Sequence, residues 1–191
     1  MIFKVFRMKS IVAGIDIGGT NTDFGLIDIY GKCIEKGVIH TNDYDTFQSY
    51  LKALSVKLSE LINKVKKDYK LEGIGIGAPN GNFYKGTIDF APNLKWHGIV
   101  EVTNQFKHYF NVPVVLTNDA NAAARGEMIY GGAIDMKDFI VITLGTGLGS
   151  GFVVNGEVMY GHDGFAGELG HTVVEPDGRQ CGCGKKGCLE T

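Results

Sequence analysis

Residues 10–29 read SIVAGIDIGGTNTDFGLIDI. An apolar run over 10–17 ends in Gly18-Gly19, and a second apolar run over 24–29 follows a short polar stretch. Tyr30-Gly31-Lys32 turns the chain into a third such run, Cys33–His40. Three strands in quick succession open the chain as an antiparallel meander. The same device returns about 127 residues later, where Leu144-Gly145-Thr146-Gly147-Leu148-Gly149 again reads as strand, glycine turn, strand. Each copy opens a new layer of sheet, so the chain has two lobes.

Between the two copies, apolar residues at Phe47, Tyr50, Leu51, Leu54, Leu58, Leu61, Ile62 and Val65 recur at helical spacing and predict a long amphipathic helix over 46–67. A short strand over 74–76, a loop over 78–96, a helix over 99–110 and a strand over 112–116 follow. An Ala-rich helix over 120–130 ends at Gly131-Gly132. Strands over 139–144 and 151–154 flank the second glycine turn, and Asn155-Gly156 signals a hairpin turn. The order βββ-α-β-α-β-α-ββ is α/β with mixed sheets. The lobe boundary falls near Leu116-Thr117, giving residues 1–116 and 117–191.

Composition narrows the function classes. The chain has 191 residues, 44% of them hydrophobic and 21% charged, which suits a buried core and excludes disorder as the main state. Nineteen basic and 21 acidic side chains give a net charge of −2, so there is no polybasic field for nucleic acid or an anionic membrane. The Lys64, Lys66 and Lys67 run reads as a solvated helix end. No apolar stretch approaches the roughly 20 residues of a membrane span. The first ten residues, interrupted by Lys4 and Arg7, lack a leader pattern, and the expected location is cytoplasmic. The 28 glycines need a reason, and tight turns that bring backbone close to a ligand supply one.

Without Cβ, successive backbone N–H groups in a turn can meet an oxyanion directly. The first turn, Gly18-Gly19, adds Asp16, whose carboxylate could hold Mg2+, and the short polar side chains of Thr20 and Asn21. The second turn is Gly145-Thr146-Gly147. Two similar patterns do not apply. No GxxxxGK[ST] occurs, and Gly73-Ile-Gly75-Ile-Gly77-Ala78 runs into Pro79 where a dinucleotide-binding helix would begin.

Asn118-Asp119 follows an apolar strand and opens the Ala-rich helix. Asp119 there is either a helix N-cap or a general base at the carboxyl end of a strand, where α/β sheets bind ligands. His171, Cys181, Cys183 and Cys188 give His-x9-Cys-x-Cys-x4-Cys, with Gly182, Gly184 and Gly187 allowing a tight wrap. Three thiolates and one imidazole fill a tetrahedral zinc site, which predicts a closed structural ion. Glu168 and Glu190 stand beside this loop, and carboxylates there suit the paired hydroxyls of a polyhydroxyl ligand.

Asp16-Ile-Gly-Gly-Thr-Asn21, Asn118-Asp119, the segment from Leu144 to His171 and Cys181-Gly-Cys-Gly-Lys-Lys-Gly-Cys-Leu-Glu190 together resemble the ROK family (repressors, open reading frames and sugar kinases). Within it they are most similar to the bacterial glucokinases. The resemblance implies an actin-like (ribonuclease-H-like) ATPase fold. It implies ATP with Mg2+, the phosphates held at Asp16, Gly18, Gly19, Thr20, Asn21, Gly145, Thr146 and Gly147. Asp119 would be the general base on a hexose hydroxyl, usually O6 of glucose, giving glucose 6-phosphate. Asn80, Asn118, Asp119, Gly147, Glu168, His171 and Glu190 would contact the sugar, and His171 would serve zinc and sugar through its two ring nitrogens.

N-acetylmannosamine, N-acetylglucosamine and fructose are the other acceptors the resemblance allows. A non-catalytic sugar-binding chain is the competing class. Family members are commonly dimers, so a homodimer is implied. Family regulators carry an N-terminal helix-turn-helix, whereas 15 residues precede Asp16 here, which speaks against a repressor. Family kinases are longer, and the expectation is a complete first lobe with the front part of the second.

Overall fold

The structure is a computed structural model that describes residues 8–145 and 147–191. The expectation for the leader region at residues 1–7 lies outside the described residues. The chain forms two compact units, residues 1–81 with 86–116, and residues 82–85 with 117–191.

The first unit opens with β1 (Lys9–Ile17), β2 (Asn21–Asp28) and β3 (Cys33–His40), each antiparallel to the one before. Helix α1 (Phe47–Val65) leads to β4 (Tyr69–Ala78), which runs parallel to β1. Three short strands follow, β5 (Gly81–Asn82), β6 (Thr87–Asp89) and β7 (Ile99–Glu101). Helix α2 (Val102–Phe106) and β8 (Val114–Asn118) come next. The main sheet has the order β3-β2-β1-β4-β8, and β5-β6-β7 form a second, small sheet.

Alternation explains the central strand. Ile11, Ala13, Ile15 and Ile17 of β1 are buried on one face, the period of two expected for a half-covered sheet. Helix α1 packs on β2 and β3 through Tyr50, Leu51, Leu54 and Leu58. Each such side chain contributes about 1.5–3 kcal/mol on full burial. Thr46 starts the helix by accepting the Ser49 amide at 3.2 Å, and Lys64 stands in its last turn. Trp96 closes the core against Phe47 and Tyr50, at ring-centre distances of 5.1 and 4.4 Å.

Three local expectations are corrected. The strand expected over 74–76 is the ten-residue β4, because Tyr69-Lys70-Leu71-Glu72 alternates and pairs along β1. The loop expected over 78–96 contains β5 and β6. The helix expected over 99–110 shrinks to Val102–Phe106, because Ile99–Glu101 pair with β6 instead. Apolar Ile99, Val102 and Phe106 fit a helical period, but cross-strand pairing takes the first of them.

The second unit contains α3 (Asp119–Tyr130), β9 (Phe139–Leu144), β10 (Leu148–Val154) and β11 (Glu157–Val158), the strands ordered β11-β10-β9. Asn155 and Gly156 both have positive φ, 54° and 78°, as a tight hairpin turn between β10 and β11 requires. Helix α3 lies so close to β10 that a Cβ at Gly151 would come within 2.6 Å of the Ala120 carbonyl. The core here is small: Ala124, Val153 and Val158, with Met128, Phe139, Val141 and Tyr160 against them. Ile140, Ile142 and Leu144 of β9 are exposed. Residues 82–85 add to this unit through Asn82, which is buried and donates to the Asp163 carbonyl at 2.8 Å. Phe83 stacks on Tyr160 at 4.1 Å. Among the described residues, no helix is long and apolar enough to cross a membrane.

Candidate functional site

In the first unit the turn from β1 to β2 is closed by the Gly18 amide donating to the Asn21 carbonyl at 2.9 Å. A Cβ at Gly19 would approach the Asn93 carbonyl to 2.7 Å, so only glycine lets these backbones meet. Asp16 and Thr20 are exposed at this turn. The carboxamide Oδ1 of Asn21 lies 2.7 Å from His40 Nδ1. Behind the turn, the Thr20 carbonyl accepts the Thr41 amide, and the buried hydroxyls of Thr22, Thr41 and Tyr50 bond in a row at 2.9 and 3.0 Å. Burial pushes the Tyr50 phenol far above its ordinary value, so it is neutral. Asn80 belongs to the same unit. Its φ is 52°, and its side-chain amide donates to the Asp89 and Phe90 carbonyls at 3.0 and 3.3 Å.

In the second unit the turn from β9 to β10 is closed by the Gly145 amide donating to the Gly147 carbonyl at 3.0 Å. Thr146 lies outside the described residues. The space a side chain would fill at Gly145 is open, and at Gly147 it meets only the Glu190 carboxylate. No packing within the chain demands glycine at 145, in contrast to Gly19.

At the end of β8, Asn118 caps α3 by accepting the amides of Ala120 and Asn121 at 2.9 and 3.4 Å. Asp119 is therefore the first helical residue and not the cap. One of its oxygens accepts the Ala120 amide at 2.8 Å, and the side chain is exposed. This leaves the N-cap role to a neighbour and the Asp119 carboxylate available to a ligand.

His171 ends a 3-10 turn, Leu169–His171, that begins directly after Glu168. The ligand atoms of His171, Cys181, Cys183 and Cys188 all lie within 4.8 Å of one another. Cys183 Sγ is 3.6 Å from Cys188 Sγ, and Cys181 Sγ is 3.6 Å from His171 Nδ1. Metal–sulfur bonds of about 2.3 Å in a tetrahedron put sulfurs about 3.8 Å apart, so the four side chains fit a zinc-sized ion. Backbone pairing of Val173 with Cys188 and Gln180 with Lys186 folds the loop, and Lys185 Nζ donates to the His171 carbonyl at 2.7 Å.

The acids gather at the same place. Glu190 lies 3.5 Å from His171 Nδ1 and accepts from Cys181 at 2.9 Å. Those contacts, the Cys181 hydrogen bond first, hold the Glu190 carboxyl below its ordinary value, and the Leu148 amide adds to the effect. The Glu168 carboxyl lies above its ordinary value. Partial withdrawal from water is the main cause, opposed by His171 and reinforced by Asp119 and Glu190. Within the second unit Glu168 thus feels the charges of His171, Asp119 and Glu190, and Glu190 lies against Gly147. Asp16, Gly18, Gly19, Thr20, Asn21 and Asn80 lie in the first unit. Asn82, which fastens residues 82–85 within the second unit, has no signal in the sequence: beside Asn80-Gly81 it reads as one more turn residue.

Comparison with known proteins adds an independent line. The sequence model of the ROK family matches residues 12–191. A glucokinase of Halalkalibacterium halodurans is 40% identical over 184 residues, covering 93% of this chain and 54% of that protein. The xylose repressor of Bacillus subtilis is 38% identical over 192 residues, covering 99% of this chain and 49% of the repressor. A ROK family glucokinase from Streptomyces griseus, solved in complex with glucose and AMPPNP, superposes with a TM-score of 0.78 at 35% identity, covering 94% of this chain and 56% of that one. The chain spans about half the length of the relatives it matches. Its mixed α/β architecture is that of the actin-like ATPase fold. With a family match over nearly its whole length and these shared motifs, the chain belongs to the ROK family.

Proposed function

We propose that the whole protein phosphorylates a hexose with ATP, glucose to glucose 6-phosphate being the reaction its residues suit best. The observation that carries this reading is the exposed Asp119 at the end of β8, in the same unit as Glu168 and as the Glu190 carboxylate that lies against His171 and Gly147. Asp119 is the general base. Exposed at the helix N-terminus and free of the capping duty, it takes the proton from the sugar hydroxyl as that oxygen attacks the γ-phosphorus in line and ADP leaves. Glu168, Glu190, Asn118, Gly147 and the His171 Nε2 atom hold the remaining hydroxyls, and Asn80 is the first unit's candidate for a sugar contact. Carboxylates accept paired hydroxyl hydrogens, which suits a polyol.

Each unit offers a phosphate turn, Gly18 and Gly19 with Asp16, Thr20 and Asn21 in the first and Gly145 and Gly147 with Thr146 in the second. When bound, Mg2+ neutralises charge on the ATP phosphates, and Asp16 is the carboxylate suited to hold it. His171, Cys181, Cys183 and Cys188 would hold a zinc ion with all four positions filled, which would order the loop and leave no site on the ion for chemistry. His171 turns Nδ1 toward the thiols, which assigns Nε2 to the sugar. We place the protein in the cytoplasm, in keeping with the absence of a membrane-crossing helix among the described residues.

The test is phosphate transfer from ATP to a panel of glucose, N-acetylmannosamine, N-acetylglucosamine and fructose. Glucose should be the best acceptor. Asp119→Ala should lower kcat by about 10²–10⁴ with glucose binding and fold retained, because Asn118 still caps α3. Undiminished turnover in that variant would remove Asp119 from its role. The similarity to a xylose repressor favours a second reading, sugar sensing without turnover. Glucose binding by calorimetry with no phosphate transfer from ATP would support it instead.

A further inference from the structure

Ser150 is buried in β10, a short step past the second glycine turn. Its hydroxyl donates to the Gly167 carbonyl and accepts the Leu169 amide at 3.1 Å, an amide that the Gly167 carbonyl also accepts at 2.8 Å. Gly167 and Leu169 are the residues immediately before and after Glu168. A hydroxyl has one donor and two acceptor positions, so both bonds form together. One oxygen therefore clamps the backbone on each side of a sugar-facing acid.

The approach of the loop to β10 is close throughout. Gly167 has a φ of 96°, and a Cβ there would come within 3.2 Å of both the Ser150 carbonyl and the Phe152 ring. A Cβ at Gly170 would run into the Leu148 carbonyl. The loop is laid along β10 from 167 to 170, and Ser150 supplies its polar fastening.

Such a fastening has a task to perform. The field at Glu168 is mixed: His171 attracts its carboxylate, whereas Asp119 and Glu190 repel it, so charge alone does not fix where the side chain points. We propose that Ser150 is the positioning residue that fixes the backbone on both sides of Glu168, so that its carboxylate meets the hexose hydroxyls. The proposal rests on the hexose reading above. It also joins two tasks in one strand, since β10 begins at the turn assigned to phosphate and continues to the residue that sets the sugar acid.

The experiment compares wild type, Ser150→Ala, Ser150→Cys and Glu168→Gln in the whole protein. Ser150→Cys keeps the volume and weakens the hydrogen bonding. Two quantities are read: hydrogen exchange at the Leu169 amide, and KM against kcat for glucose. Both Ser150 variants should speed Leu169 exchange at least tenfold and raise the glucose KM about tenfold, with kcat within about threefold. Glu168→Gln should raise KM similarly while leaving Leu169 protected. If Glu168→Gln raises KM and the Ser150 variants do not, Ser150 has no positioning role. If neither changes KM while phosphate is still transferred, Glu168 leaves the site and the Ser150 proposal falls with it. Unchanged Leu169 protection in both Ser150 variants would also overturn the proposal. A wild type that phosphorylates no hexose would strike the functional reading alone, because the exchange readout needs no turnover.

Discussion

Both units open on the same device, a glycine turn between antiparallel strands, and are then completed in different ways. In the first, β4 and β8 extend the sheet beyond β1, and α1 seals a core that includes Tyr50, Leu54, Leu58, Trp96 and Phe106. In the second, β9 is the last strand of its sheet among the described residues, one face of the sheet is covered by α3, and Ile140, Ile142 and Leu144 are exposed. Its core is Ala124, Val153, Val158 and a few half-buried neighbours. The first unit is held chiefly by buried apolar area. The second relies on close backbone contact at Gly151 and Gly167, on polar fastenings such as Ser150 and Asn82, and on the His171, Cys181, Cys183 and Cys188 cluster. The acids we assign to catalysis and sugar stand on the unit with the smaller core.

That contrast can be broken by mutation. The largest effect belongs to Leu54→Ala, which empties a fully buried position in α1 and should cost about 2–5 kcal/mol. The single tryptophan, Trp96, is buried in this core, so its fluorescence in urea reports the first unit directly. A loss under about 1 kcal/mol would show that burial is not what holds that unit. Asn118→Ala comes next. Loss of the cap on α3 should cost about 1 kcal/mol, read as faster hydrogen exchange at the Ala120 and Asn121 amides. Smallest is Ile142→Ser on the exposed face of β9, expected within about 0.5 kcal/mol. A clearly larger loss would mean that this face is covered in the folded whole protein.

Much of the fold is legible in the sequence where one physical signal dominates. The helical spacing of Phe47, Tyr50, Leu51, Leu54 and Leu58 specifies α1, because nothing competes with burial of that stripe. Glycine turns and Asn155-Gly156 mark hairpins for a steric reason that needs no partner. The signal weakens where pairing decides. Tyr69 to Gly73 is polar at every second position and becomes strand only because β1 offers a parallel edge. Ile99 to Glu101 fits a helix equally well until β6 is there to pair with it.

The same division holds at the site. Cys181, Cys183 and Cys188 sit close in the chain, and His171 joins them through a short loop, so the cluster can be read locally. Asp119 and Glu168 come from separate elements and meet only in the folded unit. Ser150 carries no motif of its own, and its importance arises from a loop 17 residues further on.

We propose that zinc held by His171, Cys181, Cys183 and Cys188 organises the second unit and keeps Glu168 and Glu190 in place. Metal analysis combined with segment-resolved hydrogen exchange, before and after chelation, tests it most directly. About one zinc per chain is expected and, on its removal, loss of protection across residues 168–191 with β1 and β4 unchanged. Protein purified without chelators that contains no zinc, yet protects residues 168–191 as well as before, would contradict it.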